Sequence, residues 1–394
     1  MYYPRKISES LKKQLNLPEI VVLTGMRRVG KTTLLTMLFD SIQSSNKVFL
    51  DLSNPLNQRI FEEIDYNNIW ANLKTFGIKS KGNIYIFLDE IQDMPQITKA
   101  VKYLYDHYKV KFFLTGSSSF YLKNLFPESL SGRKVIFELF PLDFEEFLTF
   151  KGIHKDFSSD FELKQKSKNS VEFERLKKIY NEYLYYGGFP QVVIEEDLSR
   201  KRMWLEDILK SYFEKDVKSL SDFREINLFR DTLLLLLKRA GNKIEITKLA
   251  SEIGVSRETI YAYIYFLKGT YFLSLLPPFT KNIDREISSL KKVYICDNGF
   301  ITQFGQIDEG SLFENAVFHN LKKYGELRYY QKYRGSEVDF IFIKKLVAIE
   351  SKMTANISDL KSLERICKNI GMKKYYIITK NFSSIDGFIP ATDI

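Results

Sequence analysis

The sequence predicts an α/β protein built from more than one domain. Up to about residue 150, short apolar runs alternate with helical patterns, which indicates a parallel sheet flanked by helices. Charged, helix-forming sequence then dominates to about residue 235, and strands alternate with helices again from about residue 290. Because 394 residues exceed one ordinary hydrophobic core, roughly two to four domains are expected.

The predicted domain boundaries follow these changes of pattern along the chain. They are a sheet core at 1–150, a helical region at 151–235, a helix-turn-helix unit at 236–285 and a second α/β domain at 286–394. Within the sheet core the predicted strands are 19–24, 47–52, 84–89, 111–115 and 134–138. Each is a short apolar run followed by a helical pattern, as parallel strands require.

The composition is that of globular domains with an excess of positive charge. The formal net charge of +10 favours contact with nucleic acid, an anionic membrane surface or an acidic protein. Two cysteines, Cys296 and Cys367, lack zinc-site spacing and are predicted to be buried apolar residues. The first residues lack a signal-peptide core, and the longest apolar block, Leu233–Leu237, is too short to cross a bilayer. We therefore expect a cytoplasmic protein with no membrane partner.

A glycine-rich motif at residues 25–32, GMRRVGKT, is the strongest chemical signal in the chain. It follows an apolar run and opens a helical run, which is the context that a phosphate-binding loop requires. Gly25 and Gly30 let the backbone curl so that its amides face phosphate oxygens at a helix N-terminus. Lys31 then reaches the β- and γ-phosphates, and Thr32 offers its hydroxyl to Mg²⁺. The predicted nucleotide-binding residues of the loop are Gly25, Arg27, Arg28, Val29, Gly30, Lys31, Thr32 and Thr33.

Two adjacent carboxylates, Asp89 and Glu90, follow an apolar run downstream of this loop. Asp89 is predicted to hold the Mg²⁺ shell, and Glu90 is predicted to orient or deprotonate the attacking water. An acidic pair at a strand end is common by itself, but downstream of a phosphate loop it becomes specific. The loop and the acidic pair together predict ATP hydrolysis with Mg²⁺ as cofactor.

A third apolar run, 110–115, ends in a glycine followed by three serines. In nucleotidases whose catalytic glutamate follows the metal-binding aspartate, a polar side chain at this strand's tip contacts the γ-phosphate or the water. Ser117 or Ser118 fits that role. A serine-rich turn that caps the next helix explains the same residues equally well.

With these three strands in order, the first 150 residues resemble the AAA-type phosphate-loop ATPases. The paired arginines of the loop and the segment YYGGFP at 185–190 narrow the resemblance to a prokaryotic branch similar to the signal-transduction ATPases with numerous domains. Those ATPases have a Gly-x-Pro element in a helical lid, so the resemblance implies that Pro190 packs against the adenine; a plain turn is the alternative. Over the whole chain it implies an ATPase core, a helical lid, a winged helix and a C-terminal domain with a restriction-endonuclease fold.

The same resemblance implies a role for Arg133, which precedes the fifth predicted strand. AAA-type ATPases place an arginine finger at this position, and this cation stabilises the charge on the transferring phosphoryl group, usually from the neighbouring subunit. Arg133 would then act within a homo-oligomer. An ordinary surface arginine is the competing interpretation.

Residues 246–260 have the pattern of a helix-turn-helix, with an apolar face on the first helix, a turn at Gly254 and a cap at Ser256. The run 271–276 would supply wing strands. The exposed face of the second helix has two basic residues and one acidic residue, which is a poor footprint for phosphates. DNA reading and a structural or protein-contact role are therefore equal hypotheses.

Two strand patterns near the C-terminus predict a second site. Glu350 and Lys352 form an E-x-K pattern on one face of a strand, and a paired neighbouring strand would bring Asp339 alongside. Two converging carboxylates make a Mg²⁺ site, and the lysine can activate a water. Together with Glu314 on the preceding helix, these residues match the PD-(D/E)xK nuclease pattern. Solvated charged faces of an ordinary sheet are the alternative.

The sequence thus predicts an Mg²⁺-dependent, ATP-hydrolysing AAA-type protein coupled to a nuclease-like C-terminal domain that acts on nucleic acid, with DNA among the candidates. The alternative is a nucleotide-dependent switch or scaffold that binds protein partners and has a catalytically silent C-terminal domain.

Overall fold

The computed structural model describes residues 3–116, 132–218, 226–280, 289–332 and 335–394. The chain forms two compact units that alternate along the sequence. The first unit contains Met1–Phe140, Lys210–Ser221 and Gly269–Tyr271, and the second contains Pro141–Leu209, Asp222–Lys268 and Phe272–Ile394. Within the described ranges, no helix combines the length and apolarity needed to cross a bilayer.

The first unit is built on a five-stranded sheet in which every neighbouring pair of strands is parallel. The strands are β1 (Ile20–Gly25), β2 (Lys47–Asp51), β3 (Tyr85–Asp89), β4 (Lys111–Gly116) and β5 (Lys134–Leu139). Their order is β2-β3-β4-β1-β5, so β4 separates the strand before the phosphate loop from the strand before Glu90. All residues of β1, β3 and β4 are buried, which explains why they read as continuous apolar runs.

Helices pack on both faces of this sheet. The described helices of the unit are α1 (Ile7–Lys13), α2 (Lys31–Ser41), α3 (Pro55–Arg59), α4 (Tyr66–Thr75) and α5 (Ile97–Tyr108). Trp70 of α4 and Leu104 of α5 share an apolar cluster with Leu88 of β3. Successive strand residues point to opposite faces, and Phe87 accordingly packs edge-on against Phe39 of α2 on the other face, with ring centroids 5.3 Å apart.

All five predicted strands of this domain are confirmed, and each agrees with the observed strand to within one residue at either end. The parallel direction of the sheet is confirmed as well. Local apolar runs are enough for this result because a buried parallel strand has no polar face to blur the pattern. The order of the strands is decided by packing and has no local signature.

The second unit opens with helices, in agreement with the helical pattern of the sequence. They are α6 (Phe144–Phe150), α7 (Phe161–Lys166), α8 (Ser170–Tyr186), α9 (Pro190–Ile194) and α10 (Leu198–Ser211). The side chain of Asn169 caps α8 by accepting from the amides of Val171 and Glu172. A π-helical turn, Tyr212–Val217, follows α10 and belongs to the first unit.

Three helices and a hairpin come next: α11 (Ile226–Leu237), α12 (Ile246–Ile253), α13 (Arg257–Gly269), β6 (Leu273–Leu276) and β7 (Lys292–Ile295). The predicted turn between α12 and α13 lies at Gly254, whose φ of +77° is the left-handed conformation that ends a helix. β6 and β7 pair antiparallel. The first of these strands lies within the run that was predicted to form a wing.

A second five-stranded sheet ends the chain. It is preceded by α14 (Asn298–Phe300) and α15 (Glu309–Leu321), and α16 (Ile357–Ile370) connects its third and fourth strands. The strands are β8 (Leu327–Gln331), β9 (Glu337–Phe342), β10 (Val347–Lys352), β11 (Lys374–Thr379) and β12 (Phe388–Pro390). β8, β9 and β10 pair antiparallel, whereas β10, β11 and β12 pair parallel. Cys296 and Cys367 are buried thiols, as predicted.

A substitution at Gly188 tests the packing of the second unit. An alanine Cβ at this position would lie 2.1 Å from the carbonyl oxygen of Leu142, which is backbone and cannot move aside. We expect Gly188→Ala to lower the free energy of unfolding by about 1–3 kcal/mol. Gly335→Ala is the matched control, because the nearest atom to its Cβ would be 3.6 Å away. Equal midpoints for the two variants in urea unfolding, followed by circular dichroism, would contradict this account.

Candidate active site

The phosphate loop leaves β1 at Gly25 and enters α2 at Lys31. Gly25 has a φ of +151°, and a Cβ there would lie 2.1 Å from the carbonyl oxygen of Leu139. Gly30 precedes α2 with a φ of +96°. Side chains other than hydrogen are strained in such conformations. The two glycines of the motif are therefore required by a close backbone approach and by a left-handed turn.

The ammonium group of Lys31 is buried against the loop that precedes it. Lys31 is 5% exposed, and its Nζ donates to the carbonyl oxygens of Gly25 and Met26, both at 2.9 Å. Burial lowers the pKa of Lys31, and the carboxylates of Glu90 and Asp216 act in the opposite direction. A buried cation that is held directly by neutral carbonyls is only partly compensated. The loop is therefore suited to an anion.

Asp89 ends β3 and is held by hydroxyl groups. Its Oδ1 accepts from the hydroxyl of Thr115 and, at 3.2 Å, from the amide of Glu90. Burial raises the pKa of Asp89, while hydrogen bonds from Thr115 and Thr32 lower it. A threonine hydroxyl and a carboxylate beside a phosphate loop are the oxygen donors that Mg²⁺ uses with nucleotides. Thr32 and Asp89 therefore fit the metal that the sequence predicts.

Glu90 directly follows β3 in an unusual backbone conformation. Its φ is +54°, in the left-handed region that glutamate rarely adopts. Its carboxylate accepts from the side-chain amide of Gln92, and its own amide also donates to the hydroxyl of Thr115 at 3.2 Å. Strained conformations of this kind concentrate at functional sites. The role of Glu90 toward a water stays a prediction.

Sequence reasoning missed Thr115, although a usable signal was present. The register of the sheet pairs Leu114 of β4 with Leu88 of β3, so Thr115 and Asp89 are neighbours at the same sheet edge. Parallel strands present their carboxyl ends at one edge, and a polar residue at the end of an apolar strand is therefore a candidate. Ser117 and Ser118, the residues predicted for this role, lie outside the described residues.

Sequence reasoning also missed Arg5, which is buried and supports the loop from outside. Its Nη1 donates to the carbonyl oxygen of Val29, and its Nη2 donates to that of Phe140, both at 2.8 Å. No local pattern marks Arg5, because these partners are 24 and 135 residues away along the chain. The guanidinium fork fixes the carbonyl that precedes Gly30, and with it the shape of the loop.

The other predicted residues of the loop differ in their surroundings. Arg27 forms an ion pair with Asp216, with 2.6 Å between Nε and Oδ2. Arg28 has a φ of +66° and is exposed, as is Thr33. Val29 is buried. Contact of these four residues with a nucleotide stays a prediction.

The family resemblance singled out two further residues, Arg133 and Pro190. Arg133 is 40% exposed at its side chain, and its Nε lies 3.2 Å from Oδ1 of Asp106 in the same chain. An exposed pair of this kind contributes little stability. Pro190 is the first residue of α9, and the nearby Gly188 amide donates to the buried carboxylate of Asp297 at 2.7 Å. The arginine-finger and adenine roles stay predictions.

In the second unit, the ammonium group of Lys292 on β7 lies among three carboxylates, two of which, Glu314 and Asp339, belong to the predicted nuclease-like site. Its Nζ is 2.9 Å from Glu314, 2.6 Å from Glu337 and 3.1 Å from Asp339. Lys292 is 3% exposed. Burial alone would lower its pKa, but the three carboxylates outweigh burial and raise the pKa. These carboxylates therefore already share one buried cation.

The E-x-K pair lies beside this cluster, on the face of β10 that the strand period predicts. Nζ of Lys352 is 3.7 Å from Glu350 and 3.9 Å from Asp359. Burial, together with the charge of Asp339, raises the pKa of Glu350. The amide and hydroxyl of Ser351 donate to Oδ2 of Asp339 at 3.0 and 2.9 Å. Glu314, Asp339, Glu350 and Lys352 thus belong to one charged region.

This charged region does not fit a divalent metal ion. In the part of the chain that the structure describes, no group of three or more His, Cys, Asp or Glu residues is arranged to hold one. Lys292 supplies the positive charge that a metal would bring, and its hydrogen bonds engage Oε1 of Glu314 and Oδ1 of Asp339. Sequence reasoning missed Lys292 because it precedes these two residues by 22 and 47 positions.

The helix-turn-helix pattern is present, with Leu249 and Ala250 buried and Ser256 accepting from the amide of Thr259 at 3.1 Å. The outer face of α13 exposes Tyr261 by 60% and Tyr265 by 64%. The charged residues exposed on this helix are Arg257, Glu258 and Lys268. Two cations and one anion give little attraction for phosphates.

Comparison with known proteins identifies the first part of the chain. Residues 17–148 match a family described as an AAA domain. Residues 177–310 and 309–390 match two other families, both described as domains of unknown function. The sheet with its phosphate loop thus coincides with the AAA match, and the Lys292 cluster lies within the two matches that have no assigned function.

Relatives match over most of the chain. An uncharacterized protein of Methanocaldococcus jannaschii is 31% identical over 390 residues, which are 92% of this chain and 82% of the relative. An uncharacterized protein of Haemophilus influenzae is 26% identical over 388 residues, which are 93% of this chain and 91% of that protein. Among solved structures, a Walker-type ATPase of Pyrococcus abyssi is similar, with a TM-score of 0.49 and 16% identity over 77% of this chain and 96% of that chain.

A substitution at Arg5 tests whether this residue supports the phosphate loop. Arg5→Ala removes the guanidinium donors to the carbonyls of Val29 and Phe140 and frees the loop, so we expect nucleotide affinity to fall about tenfold. Lys12→Ala on α1 is the matched control, because it removes a cation from an exposed pair with Glu9 and no contact with the loop. Titration calorimetry with Mg-ADP measures both variants, and an unchanged affinity for Arg5→Ala would contradict the supporting role.

Proposed function

The chain belongs to the same family as its Methanocaldococcus jannaschii relative and has an AAA domain at residues 17–148, and we propose on this basis that it binds ATP with Mg²⁺. We propose further that it hydrolyses the bond between the β- and γ-phosphates. One observation supports this above all. Asp89 accepts a hydrogen bond from Thr115, and a hydrogen bond from Thr32 lowers its pKa. The ammonium of Lys31 is buried in the same loop, so that oxygen donors and a cation lie close together.

Each residue of the site has a separate role in the proposed reaction. Mg²⁺, when bound, supplies positive charge to the phosphates. Lys31 would exchange its two carbonyl partners for phosphate oxygens and so bond directly to an anion. By donating to Asp89, Thr115 opposes the rise that burial causes in the pKa of this carboxylate. Glu90, fixed by its backbone bonds to Asp89 and Thr115, would orient a water and accept its proton.

Substitutions at Glu90 and Lys31 separate hydrolysis from binding. Glu90→Gln keeps the shape of the side chain but removes its proton acceptor, so we expect the turnover of ATP to fall about 10²- to 10⁴-fold while Mg-ADP still binds. Lys31→Ala removes the phosphate cation, so binding itself should be lost. Glu62→Gln is the control because Glu62 is an exposed glutamate of the same unit. Normal phosphate release by Glu90→Gln would exclude Glu90 as the base.

For the second unit, we favour the silent alternative over the nuclease. The succession of α15, three antiparallel strands, α16 and a parallel strand agrees with the predicted restriction-endonuclease fold. The site of that fold, however, contains the ammonium of Lys292 between Glu314 and Asp339. We therefore infer a nucleotide-dependent switch whose second unit, including a winged helix at α12, α13 and the β6–β7 hairpin, binds protein partners.

The composition of α13 supports a protein partner. Tyrosine is enriched in protein interfaces, and Tyr261 and Tyr265 are the large side chains exposed on this helix. DNA binding would need more cations than Arg257 and Lys268 provide. The net charge of +10 still makes nucleic acid the competing partner, and a salt series on DNA binding would detect it.

A cleavage assay separates the two hypotheses for the second unit. With Mg²⁺ or Mn²⁺, we expect the wild type to leave single-stranded, duplex and branched DNA intact, as the Asp339→Ala variant does. The reason is that Lys292 occupies the carboxylates a metal would need. Metal-dependent cleavage by the wild type that disappears in Asp339→Ala and Lys352→Ala would restore the nuclease hypothesis.

The role of Lys292 can be tested by measuring the stability of a variant. Lys292→Met removes the buried cation of Glu314 and Asp339, while Glu337 keeps its pair with Lys243, so we expect the free energy of unfolding to fall by about 3–5 kcal/mol. Lys291→Met, one position away and only partly buried, should change it by less than about 0.5 kcal/mol. We further expect Mn²⁺ to raise the melting temperature of Lys292→Met and not that of the wild type. The same Mn²⁺ response in both proteins would contradict the proposed substitution of lysine for metal.

A further inference from the structure

An ion pair inside the first unit connects the phosphate loop to a segment near the middle of the chain. Nε of Arg27 and Oδ2 of Asp216 are 2.6 Å apart, and the two residues are 189 positions apart in the sequence. Asp216 is 2% exposed. A hydrogen bond this short between two charged groups is a strong one. The loop thus has a carboxylate partner before any nucleotide is considered.

Asp216 lies on an anchored but irregular segment. It belongs to the π-helical turn Tyr212–Val217. Tyr212 and Val217 are buried, and the hydroxyl of Tyr212 is hydrogen bonded to that of Thr270 at 2.7 Å. Single π-helical turns occur frequently at functional sites. The segment is therefore placed to hold a carboxylate in one position and to release it.

The carboxylate of Asp216 also changes the pKa of Lys31, the lysine of the phosphate loop. It raises the pKa of Lys31 against the effect of burial, second only to Glu90 among the carboxylates. The negative charge of Asp216 therefore acts on the same lysine that nucleotide phosphates would contact. Phosphates bring several negative charges to the loop, and both Arg27 and Lys31 would gain by bonding to them.

We propose that Asp216 is an internal anion that competes with the nucleotide phosphates for Arg27. The proposal rests on the ATP site proposed above. Binding of a nucleotide draws Arg27 to the phosphates, separates it from Asp216 and loosens Tyr212–Val217. Because coupling between two partners of one site is reciprocal, removing the charge of Asp216 must tighten nucleotide binding.

A positioning role for Asp216 makes the opposite prediction. If Asp216 held Arg27 in the orientation that contacts phosphate, loss of its charge would leave the arginine misplaced. Nucleotide affinity would then fall. The sign of the change in affinity therefore separates competition from positioning.

The test is a calorimetric titration of the full chain with Mg-ADP. We expect Asp216→Asn, which keeps the size of the side chain, to bind Mg-ADP about tenfold more tightly than the wild type. Asp93→Asn is the matched control: Asp93 is an exposed carboxylate that feels the charge of Arg27 without pairing with it. We expect it to change affinity less than about twofold. Equal or weaker binding by Asp216→Asn would overturn the proposal.

Hydrogen exchange on the wild type gives a readout that does not depend on the variant folding. Saturating Mg-ADP should accelerate amide exchange in residues 212–217, whereas slower or unchanged exchange there would overturn the proposal. Failure of the wild type to bind Mg-ADP would reject the proposed ATP site and this inference with it. Normal binding without the predicted change in Asp216→Asn would reject this inference alone.

Discussion

The candidate ATP site depends on the parallel register of three strands. β1 pairs Leu23 with Thr115 of β4, and β3 pairs Leu88 with Leu114 of the same strand. The carboxyl ends of the three strands therefore meet at one edge, and the phosphate loop, Thr115 and Asp89 become neighbours there. A slip of one residue in β4 would turn Thr115 to the other face of the sheet and remove the hydroxyl from Asp89.

Two buried lysines show how the same side chain can serve opposite purposes. Lys31 is held directly by neutral carbonyls, and burial lowers its pKa. Lys292 is held by three carboxylates, and its pKa is raised. A lysine of the first kind gains when an anion arrives, whereas one of the second kind already has its anions. The direction of the pKa shift thus distinguishes a ligand-binding cation from a structural one.

Charge compensation also explains how the loop is built. Arg5 holds the carbonyl of Val29, and Arg27 is held by Asp216. Neither interaction involves Glu90 or Lys31, the predicted base and the phosphate lysine. Arg5 decides where the backbone of the loop lies before a nucleotide arrives, and preorganisation of this kind reduces the cost of binding. The proposed competition by Asp216 acts in the opposite direction, because Arg27 must leave this carboxylate before it can bond to phosphates. The shape of the phosphate loop is therefore a property of the whole first unit.

The sequence alone determined the features that depend on neighbours along the chain. The five strands of the first sheet, the phosphate loop and the acidic pair at Asp89 and Glu90 are local patterns whose spacing has a direct physical meaning. The turn at Gly254 between two helices is of the same kind.

Only the tertiary structure decided which charges meet. Thr115 contacts Asp89 because of strand order, Asp216 reaches Arg27 across 189 positions, and Lys292 lies among Glu314, Glu337 and Asp339. Four residues of the nuclease pattern were recognised in the sequence, but the cation that neutralises two of them was not. Local patterns report propensity and spacing, whereas the compensation of a buried charge is settled by whichever chain segment packs against it.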